Sequence, residues 1–194
     1  MLAANRFAFK EWAVICAALG EGRQSVILRK GGIHEGRAGF HIAHSEFWLF
    51  PTWLHQIEPD TLTPEAQPLL ERALAERPSS AQIPLQYYAV VQQVHEIQDE
   101  SLLPRLEGLH LWSHRTVVNR FHYRQPGLFA LAVRVYRLPE AIWIPDSPHF
   151  GGCRTWVDLP RELETAGCEP VLSDAEFEER NAALSQALAP SGIA

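Results

Sequence analysis

The sequence is poor in cysteine, nearly devoid of lysine and free of long apolar runs. Its 194 residues include three cysteines, Cys16, Cys153 and Cys168. So small and odd a number excludes a disulfide framework and points to a reducing compartment, so a cytoplasmic location is expected. Met1 to Phe9 lacks the apolar core of a secretory signal. The longest apolar runs, Trp12 to Leu19 and Phe129 to Val133, fall far short of the roughly 20 residues a membrane helix needs. No membrane partner is therefore expected. Two lysines, Lys10 and Lys30, stand against fifteen arginines. Genome composition accounts for such a bias, and so does selection for planar, bidentate anion contacts. The net charge of -6 excludes a protein-wide positive field for nucleic acid, though not a local patch. Internal repeats and low-complexity tracts are absent. A hydrophobic share of 46% supports a folded core rather than disorder.

Punctuation by glycine, proline and capping residues divides the chain. Trp12 to Leu19 and Gln24 to Lys30 are rich in Val, Ile and Leu and flank Gly20-Glu21-Gly22-Arg23, a pattern that predicts a β-hairpin. Phe47 to Phe50 predicts a strand stopped by Pro51. Thr63 and Pro64 open a helix that ends before Pro78. Leu85 to Ile97 and Leu128 to Leu138 read as strands, and Thr155 to Leu159 as a shorter one. Arg134 and Arg137 differ in parity, so one of them faces the covered side. Ser113 caps a helix through about Tyr123, with Val117, Val118 and Phe121 inward. Ser173-Asp174-Ala175-Glu176 is a capping box opening a helix to about Leu188. No βαβ rhythm is present, so the class is α+β. The expected architecture is one domain over 1–189, a mixed, curved sheet or partial barrel flanked by about three helices, followed by a frayed tail at 190–194.

Charge is distributed unevenly among these segments. Residues 1–57 hold six basic and four acidic residues, net +2. Residues 58–108 hold three and nine, net -6; residues 109–157 hold six and two, net +4; residues 158–194 hold two and eight, net -6. All six tryptophans and every histidine but His95 lie in the two positive segments. Arginine, histidine and tryptophan bind and stack on anionic, aromatic ligands. Packed together, the two segments would form a cationic, aromatic-lined surface. The competing explanation is that strands hold aromatics as core while exposed helices hold glutamate.

Several short motifs resemble one family. They are Phe9-Lys10-Glu11-Trp12-Ala13, Ile27 to Ile33, Phe47 to Thr52 followed by His55-Gln56, Leu109 to Trp112, Arg134 to Leu138, and Gly152 to Val157. Together they resemble the domain of unknown function 1802, a bacterial family with no assigned activity, over about Phe7 to Leu172. Trp53-Leu54 departs from the more polar pair expected there. The resemblance implies a single-domain cytoplasmic protein and supplies no catalytic residues.

Three chemistries compete for the functional residues. The first is binding of a phosphate-bearing ligand, a nucleotide or nucleic acid. Arg29, Lys30, Arg120, Arg134 and Arg137 would hold phosphates, and Trp48 or Trp112 would stack on a base. Arg29-Lys30-Gly31-Gly32 would add an anion-binding nest, although it is not a P-loop. The second is a hydrolase or nuclease. His41, His44 and His55 are candidate metal ligands beside Glu46. Cys153 is a candidate nucleophile with His149 four residues before it, and Glu11 beside Lys10 is a candidate carboxylate. The glutamate-rich helix of a Nudix hydrolase is missing after Pro51. The third is a protein-interaction module with tryptophans as anchors. No cofactor is indicated by any motif.

Overall fold

The computed structural model describes residues 1–30, 34–36, 39–41, 43–53, 60–79, 81–152 and 154–189. The chain enters along β1 (Ala4–Trp12) and turns directly into α1 (Ala13–Gly20), then β2 (Val26–Arg29). The expected hairpin over 12–30 is therefore a strand–helix–strand unit. Seven of the eight α1 residues are buried. A helix enclosed on all sides has no amphipathic stripe, so periodicity cannot separate it from a buried strand. Gly22, with φ of +67°, lets the chain leave the helix in the left-handed conformation that ends many helices.

A short pair, β3 (His34–Gly36) and β4 (Gly39–His41), precedes β5 (Glu46–Thr52). Pro51 does not stop β5. The next strand in the sheet covers β5 only over Glu46 to Trp48, so a missing N–H is tolerated at position 51. A 3-10 turn, Pro64–Ala66, leads into α2 (Gln67–Ala75). The long strands β6 (Gln82–Ile97) and β7 (Leu128–Pro145) form an antiparallel pair. Between them lie a 3-10 segment, Glu100–Leu106, and α3 (His114–His122). The chain closes with β8 (Trp156–Glu164), β9 (Glu169–Pro170) and α4 (Asp174–Leu188).

The main sheet is mixed, curved and unclosed, in the order β2-β7-β6-β5-β1-β8, with β9 on β7. β1 and β5 run parallel, and the other pairings among the described residues are antiparallel. This is the expected α+β class, with α1 as a fourth α-helix in place of the expected strand. The Phe47 to Phe50 run is apolar throughout because both faces of the sheet are covered. Phe47 and Leu49 face the core that takes α1, α2, α3 and α4, whereas Trp48 and Phe50 face a second core with Tyr88, Phe150 and Leu159. Among the described residues no helix is long and apolar enough to cross a membrane.

Candidate anion-binding site

The site forms where the end of β1, the end of β2 and α3 meet. α3 starts at Ser113, whose Oγ accepts the Thr116 N–H at 3.2 Å. Val117 and Phe121 point into the core. Thr116 and Arg120, at i and i+4, lie on a different side of the same helix, and Tyr123, at i+7, continues their stripe just past its end. That stripe, with Arg115 and Asn119, lines a cleft of about 420 Å³. Trp12, Lys30, Asp60 and Thr61 form the remaining wall. The 60–63 segment is tied down by a Leu62–Trp112 bridge, by Thr63 N–H to Leu111 O at 2.9 Å, and by Ser113 N–H to Thr61 O at 3.0 Å.

Arg120 lies over the Trp112 ring, 3.6 Å from its centroid. Trp112 is itself enclosed and meets Trp12 edge-on at 4.9 Å. The Arg120 guanidinium donates no hydrogen bond to any described residue. Burial lowers its pKa to about 10; the charge of Glu11 acts upward and that of Arg29 downward. It remains a cation at neutral pH. Arg29 donates from Nη2 to Lys10 O at 2.7 Å, packs 4.4 Å from the centre of the Phe9 ring, and holds Nη1 3.7 Å from Glu11 Oε2. Glu11 is 2% exposed; its Oε1 accepts the Trp12 N–H at 2.8 Å, while its buried Oε2 has no hydrogen-bond partner among the described residues. Glu11 thus pairs with Arg29 and acts on Arg120 through its charge, in a poorly solvated place. Lys30 is committed differently: its ammonium donates to Phe121 O at 2.9 Å, to Gly127 O at 2.7 Å and to Gln125 O. It secures the C-terminal end of α3, where a cation is favoured.

His110 sits behind this group, almost fully buried. Its Nδ1 accepts the Trp112 N–H at 3.2 Å, and Nε2 is without a partner among the described residues. Burial, then the charge of Arg120, lowers its pKa from the ordinary 6.5 to about 4. The unfolded chain therefore takes up this proton first. The contribution of neutral His110 is complete above about pH 6.5 and is lost as the pH falls towards 4. The total is roughly 3 kcal/mol. Urea unfolding between pH 7 and pH 4 should show a smaller loss of stability in His110→Gln than in the unaltered protein. Equal losses would remove His110 from the acid response.

The other sequence candidates lie elsewhere. Arg134 pairs with Asp174 in the first turn of α4 and packs over Phe177 at 5.3 Å. Arg137 is exposed, opposite Glu169 of β9. Neither lines the cleft. Trp48 is fully buried, with Nε1 donating to Asn5 O at 3.1 Å. Neither its ring nor that of Trp112 offers a free face to a base, because both are enclosed by core packing. The aromatic rings at the cleft are Trp12 and Tyr123.

Among the described residues the hydrolytic candidates do not assemble. His44 stacks on Phe7 at 3.5 Å and meets Trp156 edge-on, and burial lowers its pKa. His41 belongs to β4, opposite His34; His55, Cys153 and the Gly31-Gly32 nest lie outside the described residues. Among the described residues no three His, Cys, Asp or Glu side chains converge to hold a metal ion. His149 sits exposed on a 3-10 turn, Pro148–Phe150, which borders a second cleft of about 550 Å³ with Lys10. Glu11 is enclosed in the arginine group rather than open to a substrate. The cleft is also lined by Trp12, Arg115, Thr116, Asn119 and Tyr123, none of which is among the candidates drawn from the sequence. The i, i+4, i+7 stripe within the predicted helix is the available signal for two of them, Thr116 and Tyr123.

The family model described as a domain of unknown function (DUF1802) matches residues 8–183. No curated protein matches the chain. Among solved structures, the chain is similar to the crystal structure of ASCH from Zymomonas mobilis, at 13% identity and a TM-score of 0.45, covering 92% of this chain and 94% of that one. A mutant form of the same ASCH protein matches at 12% identity and a TM-score of 0.46, covering 91% and 96%.

Proposed function

This chain belongs to the DUF1802 family, and we propose that its α3 cleft binds a phosphate-bearing ligand, with Arg120 as the principal contact and Arg115 beside it. The observation that supports this most is the state of Arg120. Its guanidinium lies over an enclosed indole, borders an open cleft and makes no hydrogen bond to a described residue. A guanidinium presents a fork of donors that matches two phosphate oxygens. Removal from water strengthens such a contact. Arg29 behind it adds positive potential, which Glu11 balances only in part. Arg115 is largely exposed and stands 3.9 Å from Asp60, a contact weak enough to yield to a phosphate. A nucleotide would place its base against Tyr123 or Trp12.

Thermal unfolding in phosphate, against chloride at matched ionic strength, tests the reading. Phosphate should raise the midpoint of the unaltered protein progressively, by about 2.7 kcal/mol of stability at a hundred times the dissociation constant. Arg120→Ala should abolish the response and Arg120→Lys should weaken it, whereas Arg137→Ala should leave it intact. Equal midpoints in the two salts would overturn the proposal.

A further inference from the structure

The surroundings of the cleft discriminate between the two ligand sizes that carry phosphate. A nucleic-acid strand needs a row of cations along its path, since its affinity comes largely from several phosphate contacts and released counterions. Among the described residues Arg120 and Arg115 are the guanidiniums that line the cleft, and Lys30 is bound to carbonyls in and after the last turn of α3. Carboxylates border α3 at both ends. Asp60 stands near its start with Arg115, and Glu107 pairs with His114 at 3.1 Å. At the other end Glu100 pairs with His122 at 3.0 Å. A strand leaving past the start of α3 would carry its next phosphate towards Asp60 and Glu107, and one leaving past its end towards Glu100, with Arg124 as the cation beside it. The 58–108 segment that supplies these acids has a net charge of -6.

The aromatic surface is equally limited. Strand-binding proteins stack successive bases on successive rings. Among the described residues of this cleft the readily accessible ring is Tyr123, 58% exposed, with the Arg124 guanidinium 5.2 Å from its centroid. That suffices for one base. The volume of about 420 Å³ lies within the range of small-ligand sites.

Resting on the phosphate-site reading above, we infer that the cleft takes a single nucleotide-sized phosphate monoester carrying an aromatic ring, not an extended nucleic-acid strand. Arg120 and Arg115 hold its phosphate, and Tyr123 stacks on its ring.

Calorimetric titration of the whole protein with three probes tests this. They are adenosine monophosphate, ribose 5-phosphate and a short single-stranded oligonucleotide without a terminal phosphate. The monophosphate should bind about tenfold more tightly than ribose 5-phosphate, as stacking of one base implies. Tyr123→Ala should erase that ratio while leaving ribose 5-phosphate unchanged. The exposed position of Tyr123 keeps this variant folded. The oligonucleotide should bind more weakly than the monophosphate. Tighter oligonucleotide binding with a steep salt dependence would overturn the inference in favour of a strand. Equal affinity for ribose 5-phosphate and the monophosphate would overturn the stacking role. In both cases the phosphate site itself would stand. Failure of ribose 5-phosphate and the monophosphate alike to bind would instead remove the phosphate site on which the inference rests.

Discussion

Glu11→Ala is expected to lower stability by about 3–5 kcal/mol, the cost of leaving buried charge without its partner. Glu11 is the carboxylate that faces Arg29 at 3.7 Å, and its field also raises the pKa of Arg120. With the carboxylate gone, two guanidiniums repel each other in a partly desolvated place. The Arg29 side chain is 20% exposed, and Arg120 is held against the Trp112 ring. The loss should come from stranded charge rather than from missing packing. Two further variants separate these causes. Glu11→Gln keeps an acceptor for the Trp12 N–H yet should still lose most of the stability. Glu11→Leu combined with Arg29→Met removes both members of the pair and should cost less than Glu11→Ala alone. Urea unfolding at neutral pH measures all three. A loss below about 1 kcal/mol for Glu11→Ala, as at an exposed pair, would show that the arginines are solvated after all. Phosphate should also restore more stability to Glu11→Ala than to the unaltered protein, because the anion replaces the missing charge.

Trp112 and Trp48 are expected to be equal in stability and opposite in binding. Both are enclosed, at 1% and 0% exposure. Truncation to alanine should cost about 3–5 kcal/mol at either position. Trp48 packs edge-on against Tyr88 at 5.0 Å in the second core, remote from the cleft lining. Trp112 is the platform of Arg120. Substitution by phenylalanine, which retains a ring and much of the volume, keeps the comparison within folded proteins. Trp112→Phe should weaken phosphate binding because Arg120 loses the larger indole face that orients it. Trp48→Phe should destabilise the protein without altering affinity. Identical phosphate affinities for the two variants would show that Arg120 does not depend on its stack.

Features whose causes lie within a few residues were legible in the sequence. Ser113 and Ser173 cap α3 and α4 in the structure, and Glu176 completes the box by accepting from the Ser173 N–H at 2.8 Å. A cap is a bond between near neighbours, so its residues announce it. The parity of Arg134 and Arg137 was equally plain: the first lies under α4 and the second is exposed. α1 was not legible. Ala13 to Gly20 is apolar all round, and only burial between α2, β5 and β7 makes a helix of it. Within the site, Arg29, Lys30, Arg120 and Trp112 were singled out from the two positive segments, and the structure brings these four to one place. Arg134 and Arg137 share a segment with Arg120, yet β7 carries them elsewhere.

The amino-acid sequence by itself determined the α+β class, the ends of two helices, and the alternation of cationic, aromatic segments with acidic ones. These follow from local propensity, capping and composition, which need no knowledge of distant contacts. Only the tertiary structure decided which cation faces a cavity, which secures a helix, and which tryptophans are closed to a ligand. Glu11 and Arg29 lie far along the chain from Trp112 and Arg120. They meet because β1 and β2 end where α3 packs, and it is this long-range packing that strips water from the charges and leaves Arg120 facing the cleft.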